Sequence, residues 1–204
     1  MENIKQFVKN ELLGDNTGHG YQHALRVYNN AKKILSIEGG NEKIVLTASL
    51  VHDTVDKKLF ADVNQRIDYV SQFLKSQGYT KQEIAEIVYI ISNISWNGGV
   101  NAELNSLNAM IVRDADRLDA IGAIGIIRTI EYGNSHGRCF YEEDNIRFDG
   151  EKFVFDAITS STLSHFYEKL LLLKDYLHTK TAKNIANDRH KFMCEFLKEF
   201  YNEI

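Results

Sequence analysis

His52 and Asp53 stand side by side at the end of an apolar run (Ile44, Val45, Leu46, Ala48, Leu50, Val51), with His23 upstream and Asp114-Ala115-Asp116-Arg117-Leu118-Asp119 downstream. An imidazole and a carboxylate closing a buried helix make poor core material, because burying polar or charged groups costs several kcal/mol unless they are paired. A divalent cation would pair them. His23, His52, Asp53 and one member of the aspartate cluster would form a mixed nitrogen and oxygen shell. Such a shell suits Mn²⁺, Fe²⁺, Co²⁺, Ni²⁺, Zn²⁺ or, less well, Mg²⁺. Octahedral coordination by these ligands leaves room for water and a substrate oxygen, so the site would be open and catalytic. Coordination acidifies bound water and offsets charge on a phosphoryl oxygen, which favours hydrolysis of phosphoesters or phosphoanhydrides.

Several positions compete for roles around such an ion. His19 lies four residues before His23 and would share a helix face with it if the helix began earlier. Asp114, Asp116 and Asp119 all compete for the last ligand position. Asp56 follows His52 by four residues and would project from the same side if the helix continued another turn, which makes it the candidate proton donor. Arg26, Lys57, Lys58, Lys169 and Arg189 are the cations available for phosphate oxygens, Arg by bidentate contact and Lys as a compact charge. Trp96, Tyr132, Phe140 and Tyr141 flank glycine-containing loops where a nucleobase could stack.

This constellation resembles the HD-domain metal-dependent phosphohydrolases. His23 is followed three positions later by Arg26, His52-Asp53 forms the His-Asp pair, and Ala115-Asp116-Arg117-Leu118 has the form in which the family's last ligand often appears. The run His165-Phe166-Tyr167-Glu168-Lys169-Leu170 extends the likeness toward His190. The resemblance implies His23, His52, Asp53 and Asp116 as ligands to one divalent ion, with Asp53 and Asp56 catalytic. His19, Arg26, Lys57, Lys169 and Arg189 are expected on the substrate side, the cations because a polyphosphate needs its oxygens positioned. Asp119 would orient Arg117 or a histidine ligand by a hydrogen bond, or pair with Arg117 or Arg113 at the surface. Alarmone hydrolases of the Rel and Spo type carry an acid four positions after the His-Asp histidine, as Asp56 does, but Lys57 stands where those enzymes have a second acid.

The closest form of the family looks like the small stand-alone bacterial HD proteins. That implies a nucleoside triphosphate pyrophosphohydrolase releasing nucleoside monophosphate and pyrophosphate. A phosphomonoester or cyclic-nucleotide hydrolase, or a non-catalytic metal-braced nucleotide-binding module, are the alternatives. The partner implied is a small phosphorylated metabolite, a nucleotide first.

The elements that must position these residues read as helices. The chain of 204 residues is 44% hydrophobic and 25% charged, the balance of an ordinary globular domain that buries roughly 70% of its unfolded surface. A single HD-type domain over 1–204 is expected. Apolar residues recur at three and four positions, as in Ile4, Phe7, Val8 and Leu12. Asp62 with Gln65 and Thr80 with Glu83 have the spacing of capping boxes. Helices are predicted near 2–13, 20–38, 41–53, 62–77, 80–95, 104–118, 120–132, 160–178 and 181–202, so the fold class is all-α, a helical bundle. One exception is Ile146 to Phe155, where Asp149-Gly150 could turn a short hairpin.

The chain has no proline, against about ten expected at average usage of roughly 5%, so glycine and asparagine must punctuate the helices. Gly122 and Gly125 interrupt an apolar helical run and suggest a close helix crossing. Cys139 and Cys194 lie outside any metal or redox spacing, and both are expected to be reduced. A net charge of −4 gives no general attraction for nucleic acid. With no apolar leader and no run approaching a membrane span, the protein is expected in the cytoplasm, without a membrane partner. No feature of the sequence indicates an oligomer.

Overall fold

The computed structural model describes residues 1–14, 20–56, 60, 62–96, 103–142, 146–148, 153–155 and 161–204, the two three-residue segments by their backbone alone. Contacts gather into two compact units. The first holds 1–119 with 177–183, the second 120–176 with 184–204.

In the first unit, helices α1 (Glu2–Glu11), α2 (Tyr21–Glu38), α3 (Glu42–Val51), α4 (Val63–Ser76), α5 (Lys81–Asn93) and α6 (Leu107–Asp119) follow in chain order. α3 is the centre. Every residue from Ile44 to Val51 is buried, the mark of a helix enclosed by others on all sides, and it packs on α1, α2, α5 and α6. Val45, Ala48 and Leu50 of α3, Val27 and Ile34 of α2, and Ile111 and Val112 of α6 form the core.

The starts of these helices follow from their caps. The Asn41 side chain accepts from the Ile44 amide at 3.2 Å, and Asp62 accepts from the Gln65 amide at 2.9 Å. Thr80 and Glu83 form a reciprocal box. Each such cap satisfies a helix-end N–H that would otherwise lack a partner.

α3 ends two residues short of the predicted span, at Val51, and a 3₁₀ turn carries His52–Val55. The reason is local competition for carbonyls. The His52 ring bonds the Ser49 carbonyl at 2.9 Å and the Thr54 hydroxyl donates to the Val51 carbonyl at 2.6 Å, taking acceptors that a continuing helix would use. The chain then leaves in extended conformation at Asp56. Asp56 is therefore not carried on a further α-helical turn after His52. Arg66 of α4 braces this turn by donating to the Thr54 carbonyl, while its other end grips Glu11.

The second unit contains α7 (Gly122–Ser135), two antiparallel strands, β1 (Ile146–Phe148) and β2 (Phe153–Phe155), and most of α8 (Lys180–Glu203). The strands pair Ile146 with Phe155 and Phe148 with Phe153, in the stretch expected to form a hairpin. The Asp149-Gly150 turn lies outside the described residues. A helix over 160–178 is not found. Among the described residues that span holds a π turn at Phe166–Leu170 and a 3₁₀ turn at Leu173–Tyr176.

The start of that stretch is diverted. The amides of Thr162 and Leu163 donate to the carbonyls of Cys139 and Phe140, and the Ser161 and Ser164 hydroxyls bond each other. The glycines of α7 serve close approach: Gly122 meets another helix as expected, a Cβ there falling 3.0 Å from Cγ of Arg189 on α8, whereas Gly125 and Gly133 meet loop atoms. A Cβ at Gly125 would collide with the Ala120 carbonyl, and one at Gly133 with the Thr162 hydroxyl. Cys139 and Cys194 are free. Among the described residues, no helix is long and apolar enough to cross a membrane.

Leu50 is fully enclosed beneath the His-Asp turn. Leu50→Ala should destabilise the fold by about 2–5 kcal/mol, read as a lower urea midpoint with an unchanged m-value. A loss well under 1 kcal/mol would mean that α3 is not the packed centre.

Candidate metal centre

His23 sits in the first turn of α2, His52 and Asp53 open the 3₁₀ turn after α3, and Asp116 lies in the last turn of α6. Packing of α2 against α3 and α6 brings the four together. The two Nε2 atoms of His23 and His52 are 3.2 Å apart. Asp53 reaches His23 at 3.4 Å and His52 at 3.3 Å, and Asp116 reaches the same two atoms at 3.3 and 3.9 Å. His23, His52 and Asp53 are buried, whereas the Asp116 side chain keeps 26% of its surface exposed. Asp116 is the side on which the cluster meets solvent.

The protonation pattern decides what this cluster can hold. The Nδ1 of His52 faces the Ser49 carbonyl, which can only accept, so Nδ1 carries the hydrogen. The Nδ1 of His23 faces the Asp119 carboxylate at 2.7 Å and donates to it. In the neutral tautomers both Nε2 atoms are then bare lone pairs pointing at each other and at two carboxylates. Such a set of donors requires a positive charge at its centre.

The distances fit a cation. Ligands about 2.1 Å from an ion lie about 3.0 Å apart at a right angle and about 3.4 Å apart at the tetrahedral angle. Three of these side chains, His23, His52 and Asp53, present ligand atoms that all lie within 4.8 Å of one another, with Asp116 alongside.

Without an ion, a proton does the same work. Burial alone would lower the His23 pKa, but hydrogen bonds to Asp116 and Asp119 and the charges of Asp53 and Asp116 outweigh it and raise the value to about 9. Asp119, itself buried, is held in turn by Arg26, whose Nε and Nη2 donate to its two oxygens at 2.7 and 3.1 Å. The carboxylate thus fixes ring direction and tautomer of His23. Arg26 follows His23 by three positions on α2 and so shares its face.

Asp114 points elsewhere. Its carboxylate, fully buried, accepts from the amides of His178 and Thr179, the His178 ring and the Thr179 hydroxyl. Thr179, His178 and Glu38 were not singled out from the sequence, although a threonine just before a helix is a cap signal.

Of the other nominated residues, His19, Lys57 and Lys58 lie outside the described residues. Lys169 falls in the π turn of the second unit, one helical turn after His165. There burial, then the charges of Lys169 and Arg138, push the His165 pKa down to about 4. The stem of Arg189 lies against Gly122, also in the second unit. The aromatic nominees are engaged within the protein. Trp96 faces buried Arg117, Tyr132 stacks on His136, and Phe140 and Tyr141 meet Phe200 edge-on.

Loading the centre should expel the His23 proton. Divalent-ion affinity is therefore expected to rise with pH between 6.5 and about 9 and to level off above. Calorimetry in buffers of different ionisation enthalpy should record proton release in that interval. In the metal-free chain the raised pKa contributes stability that is complete below pH 6.5 and lost as pH rises through about 9. Affinity independent of pH over this interval would show that His23 holds no such proton.

Comparison with known proteins adds the following. The HD domain profile matches residues 20–121. YpgQ of Bacillus subtilis, described as uncharacterized, is 34% identical over an alignment covering 100% of this chain and 93% of YpgQ. The crystal structure of YpgQ in complex with ADP matches with a TM-score of 0.80 at 30% identity, covering 100% of this chain and 97% of that one. An HD-superfamily hydrolase from Bacillus thuringiensis matches with a TM-score of 0.80 at 36% identity, covering 99% and 95%.

Proposed function

The chain belongs to the HD-domain family, and from that premise we propose that it is a metal-dependent phosphohydrolase cleaving a nucleoside triphosphate to monophosphate and pyrophosphate. One observation carries the hydrolytic reading. Two imidazole nitrogens with committed Nδ1 hydrogens meet two carboxylates at cation spacing, and one of those carboxylates, Asp116, is open to solvent. Nucleotide chemistry is supported by the ADP held in the YpgQ crystal.

His23, His52, Asp53 and Asp116 would hold one divalent ion of the Mn, Fe, Co, Ni, Zn or Mg group. When bound, it supplies an acidified water for attack on phosphorus and offsets charge on the phosphoryl oxygens. The chain's own residues do the rest. Asp119 keeps the hydrogen of His23 on Nδ1, which presents Nε2 as the ligating atom. Asp53 is assigned to orient the attacking water as well as to ligate, and Asp56 to deliver a proton to the departing oxygen. Arg26 directs Nε and Nη2 to Asp119, so Nη1 is the atom assigned to phosphate. His19, Lys57, Lys169 and Arg189 are assigned the remaining charge of the polyphosphate.

Protein stripped of metal and resupplied with Mn²⁺ is expected to release pyrophosphate and nucleoside monophosphate from a triphosphate panel. His52→Ala and Asp116→Ala should reduce turnover to background. Asp119→Asn should weaken Mn²⁺ binding by about 10–100-fold, with turnover recovering at excess Mn²⁺. Release of inorganic phosphate alone would replace this bond assignment by a phosphomonoesterase or stepwise activity. Nucleotide binding without turnover under any of the ions would remove the enzyme reading.

A further inference from the structure

The start of α8 supplies no acidic residue to its own first turn, although an exposed helix N-terminus carries partial positive charge and unpartnered N–H groups. It receives two carboxylates from other helices instead. Asp114 of α6 accepts from the His178 amide at 2.9 Å, the Thr179 amide at 2.7 Å, the His178 Nδ1 at 2.9 Å and the Thr179 hydroxyl at 2.8 Å. Glu38, the last residue of α2, accepts from the Thr181 amide at 2.7 Å, and the bond to Thr181 holds its carboxyl below the usual range. Thr179 also caps the helix, its hydroxyl accepting from the Ala182 amide at 3.3 Å.

The two helices that reach out this way are the two that carry His23 and Asp116. α2 bears His23 at its beginning and Glu38 at its end. α6 bears Asp114 two residues before Asp116. At 100° per residue, Asp114 and Asp116 point about 160° apart around the α6 axis, so a grip on one fixes the direction of the other. With side-chain ends about 5.5 Å from the axis, each 10° of rotation displaces a carboxylate by about 1 Å. Ligand distances tolerate only about 0.2 Å. The Asn30 side chain of α2 adds a single bond to the Ala115 carbonyl at 3.1 Å. Beside the Arg26–Asp119 pair, the carboxylate grip on 178–181 is a further polar tie between these helices.

We propose that Asp114 is a positioning residue. With Glu38 it seats the first turn of α8 across α2 and α6, so that occupancy of the metal centre and docking of residues 178–182 stabilise each other. This rests on the reading of His23, His52, Asp53 and Asp116 as cation ligands. Coupling of this kind is reciprocal by thermodynamic necessity, which allows it to be read from either end and without substrate.

In the parent chain, saturation with Mn²⁺ should slow hydrogen exchange at the amides of His178, Thr179, Thr181 and Ala182 by about fivefold or more. Slowing confined to the surroundings of His52 and Asp53 would overturn the coupling. In calorimetric titration of stripped protein, Asp114→Asn should weaken Mn²⁺ binding by about tenfold, because an amide NH₂ would face N–H donors. Thr179→Val should weaken it in the same direction, and Thr179→Ser, which keeps the hydroxyl, should restore it. Unchanged Mn²⁺ affinity in Asp114→Asn and Thr179→Val would overturn the proposal while leaving the metal centre intact. No Mn²⁺ uptake by the parent chain would overturn the centre itself, and this inference with it.

Discussion

Two buried imidazole lone pairs aimed at one another are the constraint on which the rest of this structure depends. Left unmet, each buried acceptor would cost about 1–3 kcal/mol, and the carboxylate of Asp53 would cost more, because an uncompensated buried charge is strongly destabilising. Neither ring can turn its hydrogen inward to relieve the conflict. Asp119 holds one Nδ1 hydrogen and the Ser49 carbonyl holds the other. Only an added positive charge resolves the arrangement. In the metal-free chain that charge is an extra proton on His23, whose pKa the neighbouring carboxylates push up to about 9. A site whose proton is held by ligand geometry, and which can exchange it for a cation, is prepared for metal chemistry by its hydrogen bonds as well as by its ligands.

Such a cluster needs rigid support, and the fold provides it by making α3 the centre of its unit. A helix buried on all sides cannot slide without opening cavities in several directions, so its end is a fixed point. His52 and Asp53 sit at that end. The turn that follows is held by its own side chains and by Arg66, which joins the Thr54 carbonyl to Glu11 on α1. α2 and α6 then lie against this fixed helix and deliver His23, Asp116 and Asp119. The polar centre is thus placed where three helix ends meet, since helix ends are where backbone groups lack intrahelical partners and side chains can take them.

Much of this was legible in the sequence, because the signals are local and periodic. The cap residues Asp62 and Thr80 mark helix starts in both sequence and structure, and the apolar spacing gives the right helices through the first unit. The His23, His52-Asp53 and Asp116 set carries its own spacing signature. What was not legible depends on competition for hydrogen-bond partners. The interval 160–178 has helical apolar spacing, yet the carbonyls of Cys139 and Phe140 claim its first amides. Asp56 would share a face with His52 only if α3 continued, and the His52 and Thr54 side chains end it. Arg26 reads as a free cation in sequence, but Asp119, distant in the chain, takes two of its nitrogens. For Arg26 a partner remote in sequence decided a role that local reading left open, whereas α3 is ended by side chains three residues from the carbonyls they take.

The aspartates of α6 show how one short motif can encode both a site and its support. Asp116 and Asp119, three residues apart, share a helix face, and both turn toward His23, one at its Nε2 and one at its Nδ1. Asp114, two residues before Asp116, falls almost opposite and could not join them without unwinding the helix. Its oxygens are already surrounded by N–H and O–H donors from residues 178 and 179, an environment that favours an anion and repels a cation. The same carboxylate chemistry therefore performs three different tasks, set by angle around the axis and by the sign of what each side chain faces. Moving any one aspartate by a single position would rotate it by 100° and exchange its partner for solvent or for a buried unpaired charge, so the spacing of the motif is itself a statement about which surfaces of α6 meet α2, the His-Asp turn and the start of α8.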